Sequence, residues 1–371
     1  MLRRYLERSV AADLRKKMVL LAGPRQVGKT TLARSLAGRR GGYLNWDIDA
    51  DRAKILQRQH PTGDPLVLDE IHKYRAWRNY LKGLYDGSRE HGLRILVTGS
   101  ARLDFYRRGG DSLQGRYFFY RLHPLSLAEL GDDRRDTLRQ LLTLGGFPEP
   151  FFSQSERDAR RWSLDYRTRL VREDLASLER FEDLGAIELL LLRLPALVGS
   201  PLSLNALRED LQVSHHAVRR WLDGLERLYA FFRLAPFGAP RIRAVKKEQK
   251  HYHFDWTLVL DPALRFENLV ACALRKWVDW RRDAEGEEQE LRYFRDVDRR
   301  EVDFVLVDGR GPRLFVECKL SDAPLSPALR YLVQRFPAVP AWQIAANGTR
   351  DVATAEGIRL APAATFLRTL V

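Results

Sequence analysis

Residues 23–30 read Gly-Pro-Arg-Gln-Val-Gly-Lys-Thr, a glycine-bounded loop closed by a lysine and a hydroxyl, with a second threonine next. Glycines at 23 and 28 free the backbone to turn successive N–H groups inward, and a helix N-terminus adds partial positive charge. This spacing suits the phosphate chain of ATP. Gly23, Pro24, Arg25, Gln26, Val27, Gly28, Lys29, Thr30 and Thr31 form the cradle, Lys29 reaches the β- and γ-phosphates, and Thr30 ligates Mg²⁺. Hydrolysis needs carboxylates as well. The apolar run Leu66-Val67-Leu68 ends in Asp69-Glu70, which supplies a metal-organising aspartate and a glutamate to polarise water. A later run, "LRILVTGSAR", brings Thr98 and Ser100 toward the γ-phosphate, with Ser100 the chosen polar sensor. Arg116, just before "YFFYRLHPL", is a candidate arginine finger for a neighbouring subunit's nucleotide, or else a surface arginine at a helix end.

A second constellation lies in the last third. Asp303 precedes a short turn, and Glu317-Cys318-Lys319 follows it. Strand side chains alternate, so Glu317 and Lys319 share a face while Cys318 points away, and a hairpin through "GRGP" sets Asp303 within about 5 to 8 Å of Glu317. Two such carboxylates can hold Mg²⁺, Glu267 can join them, and Lys319 can orient water and stabilise phosphorane-like charge. The E-x-K pattern is weak alone. Glu248-Gln249-Lys250 repeats it without an Asp-bearing partner and is set aside.

The elements that position these groups follow from periodicity. "MVLLA" reads as a buried strand before the loop and "KTTLARSLAG" as a helix after it, and alternating strands and helices up to "YFFYRLHPL" predict an α/β parallel sheet. A helix-like segment is expected over 102–113. Residues 126–198 read as helical, broken at Gly145-Gly146-Phe147-Pro148. Residues 199–245 read as helix, turn, capped helix and strand, a winged helix-turn-helix pattern. Ser214 caps the second helix, Val218, Trp221, Leu222 and Leu225 form its buried stripe, and His215, His216, Arg219 and Arg220 are left exposed as DNA contacts. Adjacent histidines cannot share one helix face, which argues against metal ligation. The basic run "RIRAVKKEQK" follows as a wing or linker. From 246 to 371 the order is helix, three strands, helix, strand.

At 371 residues the chain accommodates several domains, expected at 1–125, 126–198, 199–245 and 246–371. Its net charge of +14 favours a polyanionic partner, with DNA the leading choice. Cys272 and Cys318 are too few for a disulfide framework or a cysteine-based zinc site. With no stretch long enough to span a bilayer and no cleavable leader pattern, a cytoplasmic protein without membrane partners is expected.

The motifs "GPRQVGKTTL", "LVLDEIHK", "LVTGSAR", "GRYFFYRLHPLSLAEL", "GGFPEPF" and "VREDL", followed by "FENLV", "EVDFV" and "VECK", resemble the AAA+ ATPases of the archaeal-ATPase-like group with a C-terminal DUF4143 region. "KHYHFDW" matches that family's K-x-Y-F-x-D pattern at Lys250 and Asp255 but lacks the glycine after the aspartate. The resemblance implies a RecA-like core with a helical lid and nucleotide between subunits of a homo-oligomeric ring, a hexamer being one option. The last third resembles the PD-(D/E)xK restriction-endonuclease-like fold. The expected function is ATP hydrolysis coupled to action on DNA, as motor or remodeller on branched or structured DNA, with a C-terminal domain that clamps or cuts. The alternative is a nucleotide-controlled switch whose nuclease fold is silent.

Overall fold

The structure is a computed structural model that describes residues 2–88, 92–99, 113–131, 134–175, 183–238 and 249–371. Chain contacts divide it into two compact units. One comprises Met1–Pro124, Arg227–Tyr229 and Asp283–Glu285, the other Leu125–Glu226, Ala230–Arg282 and Gly286–Val371.

In the first unit a short helix, α1 (Glu7–Asp13), precedes β1 (Met18–Ala22), whose five residues are all buried. The chain continues through α2 (Lys29–Ala37), β2 (Gly42–Asn45), α3 (Asp49–Leu56), β3 (Leu66–Asp69), α4 (Trp77–Ser88), β4 (Ile95–Thr98) and β5 (Tyr117–Arg121). Continuous apolar strands of this kind suit a sheet covered on both faces. The sheet is wholly parallel in the order β2-β3-β4-β1-β5. From β1 the chain steps outward to β2, works back through β3 and β4, then passes β1 to add β5. That reversal leaves a crevice beyond the C-terminal end of β1, the place where open α/β sheets bind ligands. Leu20, Leu44, Leu68, Ile55, Leu81 and Val97 form its core.

The second unit opens with helices α5 (Arg134–Leu144), α6 (Pro148–Ser153), α7 (Glu156–Arg169) and α8 (Leu184–Arg193). The break expected at 145–148 is present: Gly145 has φ 83°, which ends α5, and Pro148 starts α6 at a position that needs no N–H. Phe147 then packs between Trp162 and Tyr166, at ring distances of 4.7 and 5.1 Å. Next come α9 (Leu204–Leu211) and α10 (His215–Arg227). Ser214 Oγ accepts the Ala217 N–H at 3.1 Å, and Val218, Trp221, Leu222 and Leu225 are buried, which is the capping and stripe read from the sequence.

Strands β6 (Phe231–Pro236) and β7 (Lys250–His253) form an antiparallel pair. They are followed by α11 (Pro262–Glu285), β8 (Glu290–Arg295), β9 (Glu301–Asp308), β10 (Gly311–Lys319), α12 (Pro327–Arg335), β11 (Ala341–Ala345), β12 (Val352–Ala353), β13 (Ile358–Pro362) and α13 (Ala363–Leu367). Eight strands make one sheet, β12-β13-β11-β10-β9-β8-β6-β7. Sheet pairing therefore runs through β6 and β8 across the boundary expected at 245. Among the described residues no helix is long and apolar enough to cross a membrane.

His251 and His253 on β7 are wholly buried. His251 Nε2 meets the Leu194 carbonyl at 2.9 Å, whereas neither ring nitrogen of His253 has a partner among the described residues. Burial, helped by Arg233, lowers the His251 pKa from 6.5 to about 4. Burial, helped by His251 and Arg167, pushes His253 well below its usual value. The folded chain thus refuses protons that the unfolded chain accepts below about pH 6.5, so these residues remove stability as pH falls through that value. A His253→Leu chain should gain stability relative to wild type progressively from pH 7 to pH 5, read from urea midpoints; a gap independent of pH would contradict this.

Candidate functional site

The glycine-bounded loop fills the crevice at the end of β1. Gly28, at φ 99°, turns the chain into α2. Gly23, at φ 142°, has no room for a side chain, since a Cβ there would lie 2.3 Å from the Leu122 carbonyl oxygen. Lys29 Nζ donates to the carbonyls of Gly23 and Pro24 at 3.1 and 2.6 Å, so its ammonium sits in the mouth of the loop.

Asp69 closes β3 and is 2% exposed. Three hydroxyls from three elements hold its carboxylate. Thr30 Oγ1 donates to Oδ2 at 2.8 Å, the Tyr43 hydroxyl donates to Oδ2 at 2.7 Å, and Thr98 Oγ1 donates to Oδ1. Burial and the Asp69 charge push the Tyr43 pKa up to about 12, so Tyr43 stays a donor. Thr98 therefore serves Asp69 directly. Ser100, the chosen sensor, lies outside the described residues, as does nearly all of the 102–113 segment.

Glu70 takes a left-handed backbone, φ 56°, which turns its side chain out of the strand pleat. Its Oε2 lies 3.4 Å from Lys73 Nζ and 3.7 Å from His72 Nε2. Burial raises its pKa against the pull of Lys73 and Lys29. Arg116 is elsewhere. Tyr117 sits beside Met18 at the start of β1, so Arg116 is at the opposite end of the sheet, about 16 Å of strand from the loop that leaves Ala22. It cannot serve its own chain's loop, and its guanidinium pairs with Asp86 at 2.9 Å.

Sequence reasoning missed Arg4. This arginine is 7% exposed and donates to the Val27 carbonyl at 2.8 Å and the His123 carbonyl at 2.6 Å, bracing the loop from behind. A terminal arginine ahead of a short helix carries no local signal of that role.

In the second unit the expected hairpin forms, with Asp308 opposite Gly311 across a two-residue turn. A bulge between Pro312 and Leu314 then shifts the register by one, giving Leu314–Leu306 and Val316–Phe304 pairs. Without it Glu317 would face Val302. With it Glu317 comes level with Asp303, where the ladder opens and Asp303 Oδ2 accepts the Cys318 N–H at 2.8 Å. Lys319 Nζ donates to Glu317 Oε1 at 2.7 Å on the shared face, while Glu317 Oε2 is buried with no partner among the described residues. Glu267, from the first turns of α11, accepts the Tyr252 hydroxyl at 2.6 Å. Burial and Asp303 raise its pKa to about 7, and burial and Glu317 raise that of Asp303 to about 7.

Two expectations need correction here. Glu267, Asp303 and Glu317 lie near enough to feel one another's charge but form no ready-made cage: no group of three or more His, Cys, Asp or Glu side chains able to hold a metal exists among the described residues. And Lys250, set aside with its E-x-K, is 1% exposed and lies between two carboxylates, hydrogen-bonded to Glu301 and 3.7 Å from Glu267 Oε1. Asp255 accepts from Ser163 Oγ at 2.5 Å and from the Thr257 N–H at 3.2 Å. On α10, His215, His216, Arg219 and Arg220 are all exposed.

With this geometry in place, the family matches can be assigned to it. A family described as an AAA domain matches residues 15–131, which span the phosphate loop, Asp69-Glu70 and all five parallel strands. A second, the domain of unknown function DUF4143, matches residues 265–366. The chain carries an AAA domain and a DUF4143 domain. Between them a third family, DUF8612, matches residues 135–266. The curated proteins "Uncharacterized protein Rv2008c" of Mycobacterium tuberculosis and "Uncharacterized protein Mb2031c" of Mycobacterium bovis are each 29% identical over 262 residues. That alignment takes in 68% of this chain but 58% of each relative, so the chain spans less than two thirds of their length. Solved structures that resemble it include AMPPCP-bound DnaA from Aquifex aeolicus, at 14% identity and TM-score 0.33 over 60% of this chain and 85% of that one. Others are the Aeropyrum pernix ORC1 protein in complex with DNA, at 15% and 0.32 over 74% and 94%, and the Thermotoga maritima RuvB Holliday junction branch migration motor, at 19% and 0.29 over 62% and 88%. At these TM-scores the likenesses carry no weight beside the geometry.

Replacing Arg4 by methionine leaves two buried carbonyls of the AAA domain without that donor, at about 1–3 kcal/mol each. Arg4→Met should raise the dissociation constant for a fluorescent ATP analogue about tenfold or more with an unchanged circular dichroism spectrum. Unchanged affinity would show that the loop keeps its shape unaided.

Proposed function

We propose that this protein is a Mg²⁺-dependent ATPase that acts on DNA as a homo-oligomeric ring. The observation that carries the ATPase reading is the Thr30–Asp69 hydrogen bond, 2.8 Å, at the mouth of a loop that already holds the Lys29 ammonium. Hydroxyl and carboxylate oxygens are the hard donors Mg²⁺ takes, so Thr30 and Asp69 fit as its protein ligands. An ion held by these two residues would supply charge neutralisation for the phosphates. Lys29 exchanges loop carbonyls for phosphate oxygens, Tyr43 and Thr98 keep Asp69 aimed, and Glu70 accepts the proton of the attacking water. Arg116, after leaving Asp86, acts on the nucleotide of a neighbouring subunit.

The support for DNA is independent of the loop. The chain carries a net charge of +14, and α10 presents His215, His216, Arg219 and Arg220 together at its exposed N-terminal half, the part of a winged helix-turn-helix that enters a major groove. In the C-terminal domain Asp303 and Glu317 lie on adjacent strands with Lys319 two residues on, which supports a nuclease-like reading, and lysines pair with the carboxylates, which favours clamping over cutting. The same observation supports the second reading, a nucleotide-controlled switch with a silent nuclease fold.

Steady-state ATP hydrolysis with single-stranded, duplex and four-way-junction DNA separates the two, with Lys29→Ala as blank. The DNA-acting reading predicts stimulation by one DNA form, and Glu70→Gln should keep ATP binding while hydrolysis drops at least about a hundredfold. Turnover indifferent to all three forms would contradict it and favour the switch.

A further inference from the structure

The carboxylates of the C-terminal domain are usually the preserve of a divalent cation, and here a different cation stands among them. Lys250 comes from β7, two strands beyond β8 in the sheet, and is 1% exposed. Its ammonium donates to Glu301 Oε1, lies 3.7 Å from Glu267 Oε1 and 5.2 Å from the centre of the Tyr293 ring. Burial works against that charge, but Glu267, Asp303 and Glu301 together outweigh burial and hold the lysine protonated. One oxygen of each of three carboxylates is already engaged, while Glu317 Oε2 is buried with no partner among the described residues. Glu267 Oε1 takes the Tyr252 hydroxyl, Asp303 Oδ2 takes the Cys318 N–H, and Glu317 Oε1 takes Lys319.

We propose that the Lys250 ammonium is the resident cation of this cluster and stands where a divalent metal would otherwise bind. The geometry is one of replacement. An ammonium supplies a fixed positive charge and three donors on a buried stem, so it neutralises converging carboxylates without demanding the octahedral oxygen shell that Mg²⁺ requires. Two lysines then balance the cluster, Lys250 from inside and Lys319 from its rim, where Lys319 is 36% exposed. Removing Lys250 would leave Glu267, Asp303 and Glu301 with excess negative charge and a space the size of an ammonium, into which a divalent cation fits. Lys250 is in this sense a positioning residue, since it touches carboxylates and is too buried to touch DNA. The inference rests on the clamp reading of this domain but is read out by metal binding, so loss of the DNA reading leaves it standing.

The test is Mn²⁺ binding to the full chain without nucleotide, followed by electron paramagnetic resonance, in wild type, Asp303→Asn, Lys250→Met and the Lys250→Met/Asp303→Asn double variant. Binding at the AAA domain is common to all four and cancels. Wild type and Asp303→Asn should bind Mn²⁺ alike, while Lys250→Met should gain one further ion, bound at least about tenfold more tightly than in the double variant. A wild-type Mn²⁺ ion lost in Asp303→Asn would overturn the proposal, as would a folded Lys250→Met chain that gains none. Should Lys250→Met fail to fold, the comparison of wild type with Asp303→Asn decides alone: equal binding supports the proposal and unequal binding overturns it.

Discussion

The buried carboxylate of Asp69 is the constraint on which the AAA domain depends. An ionised carboxylate at 2% exposure costs several kcal/mol unless donors surround it. The donors come from β2, α2 and β4, so they converge only when β3 lies between β2 and β4 and the phosphate loop has delivered α2 above them. Fold and site are thereby one requirement. A sheet in any other order would leave Asp69 unsatisfied, and a sheet in this order presents Thr30 and Asp69 as adjacent oxygens at the mouth of a phosphate-binding loop. The Arg4 brace works from the opposite side, tying Val27 to the chain just beyond β5.

The C-terminal domain solves the same problem with the opposite chemistry. Its carboxylates are held by cations and by single backbone or phenol donors, and the sheet register decides which of them meet. The bulge near Arg313 shows how fine that control is: one extra residue in β10 decides whether Glu317 lies level with Asp303 or with the apolar Val302. Raised pKa values for Glu267 and Asp303 follow first from burial and then from that crowding, and Lys250 works against both.

Groups that act through local spacing were legible in the sequence. The phosphate loop, Asp69-Glu70, the Ser214 cap, the buried stripe of α10 and the Glu317–Lys319 face each depend on neighbours within one turn or one strand. Groups that act across elements were not. Tyr43 and Thr98 serve Asp69 from strands on either side, Arg4 reaches the loop from ahead of α1, and Lys250 enters its cluster through a pairing of β7 that no local pattern announces. The surroundings of Glu267 were illegible for a related reason. Its position at the start of α11 was right, but its oxygen faces Tyr252 and Lys250, residues whose side chains only the folded sheet brings there.

If ATP occupancy at Asp69 governs the grip on DNA, the two properties must be linked in one equilibrium. The most direct measurement is the DNA affinity of the hydrolysis-deficient Glu70→Gln chain with saturating ATP and without nucleotide, by fluorescence anisotropy at fixed, moderate salt. A dissociation constant that shifts about fivefold or more on adding ATP, with the reciprocal shift in ATP affinity on adding DNA, is the predicted result. Equal DNA affinity in both states, or no DNA binding at all, would contradict it.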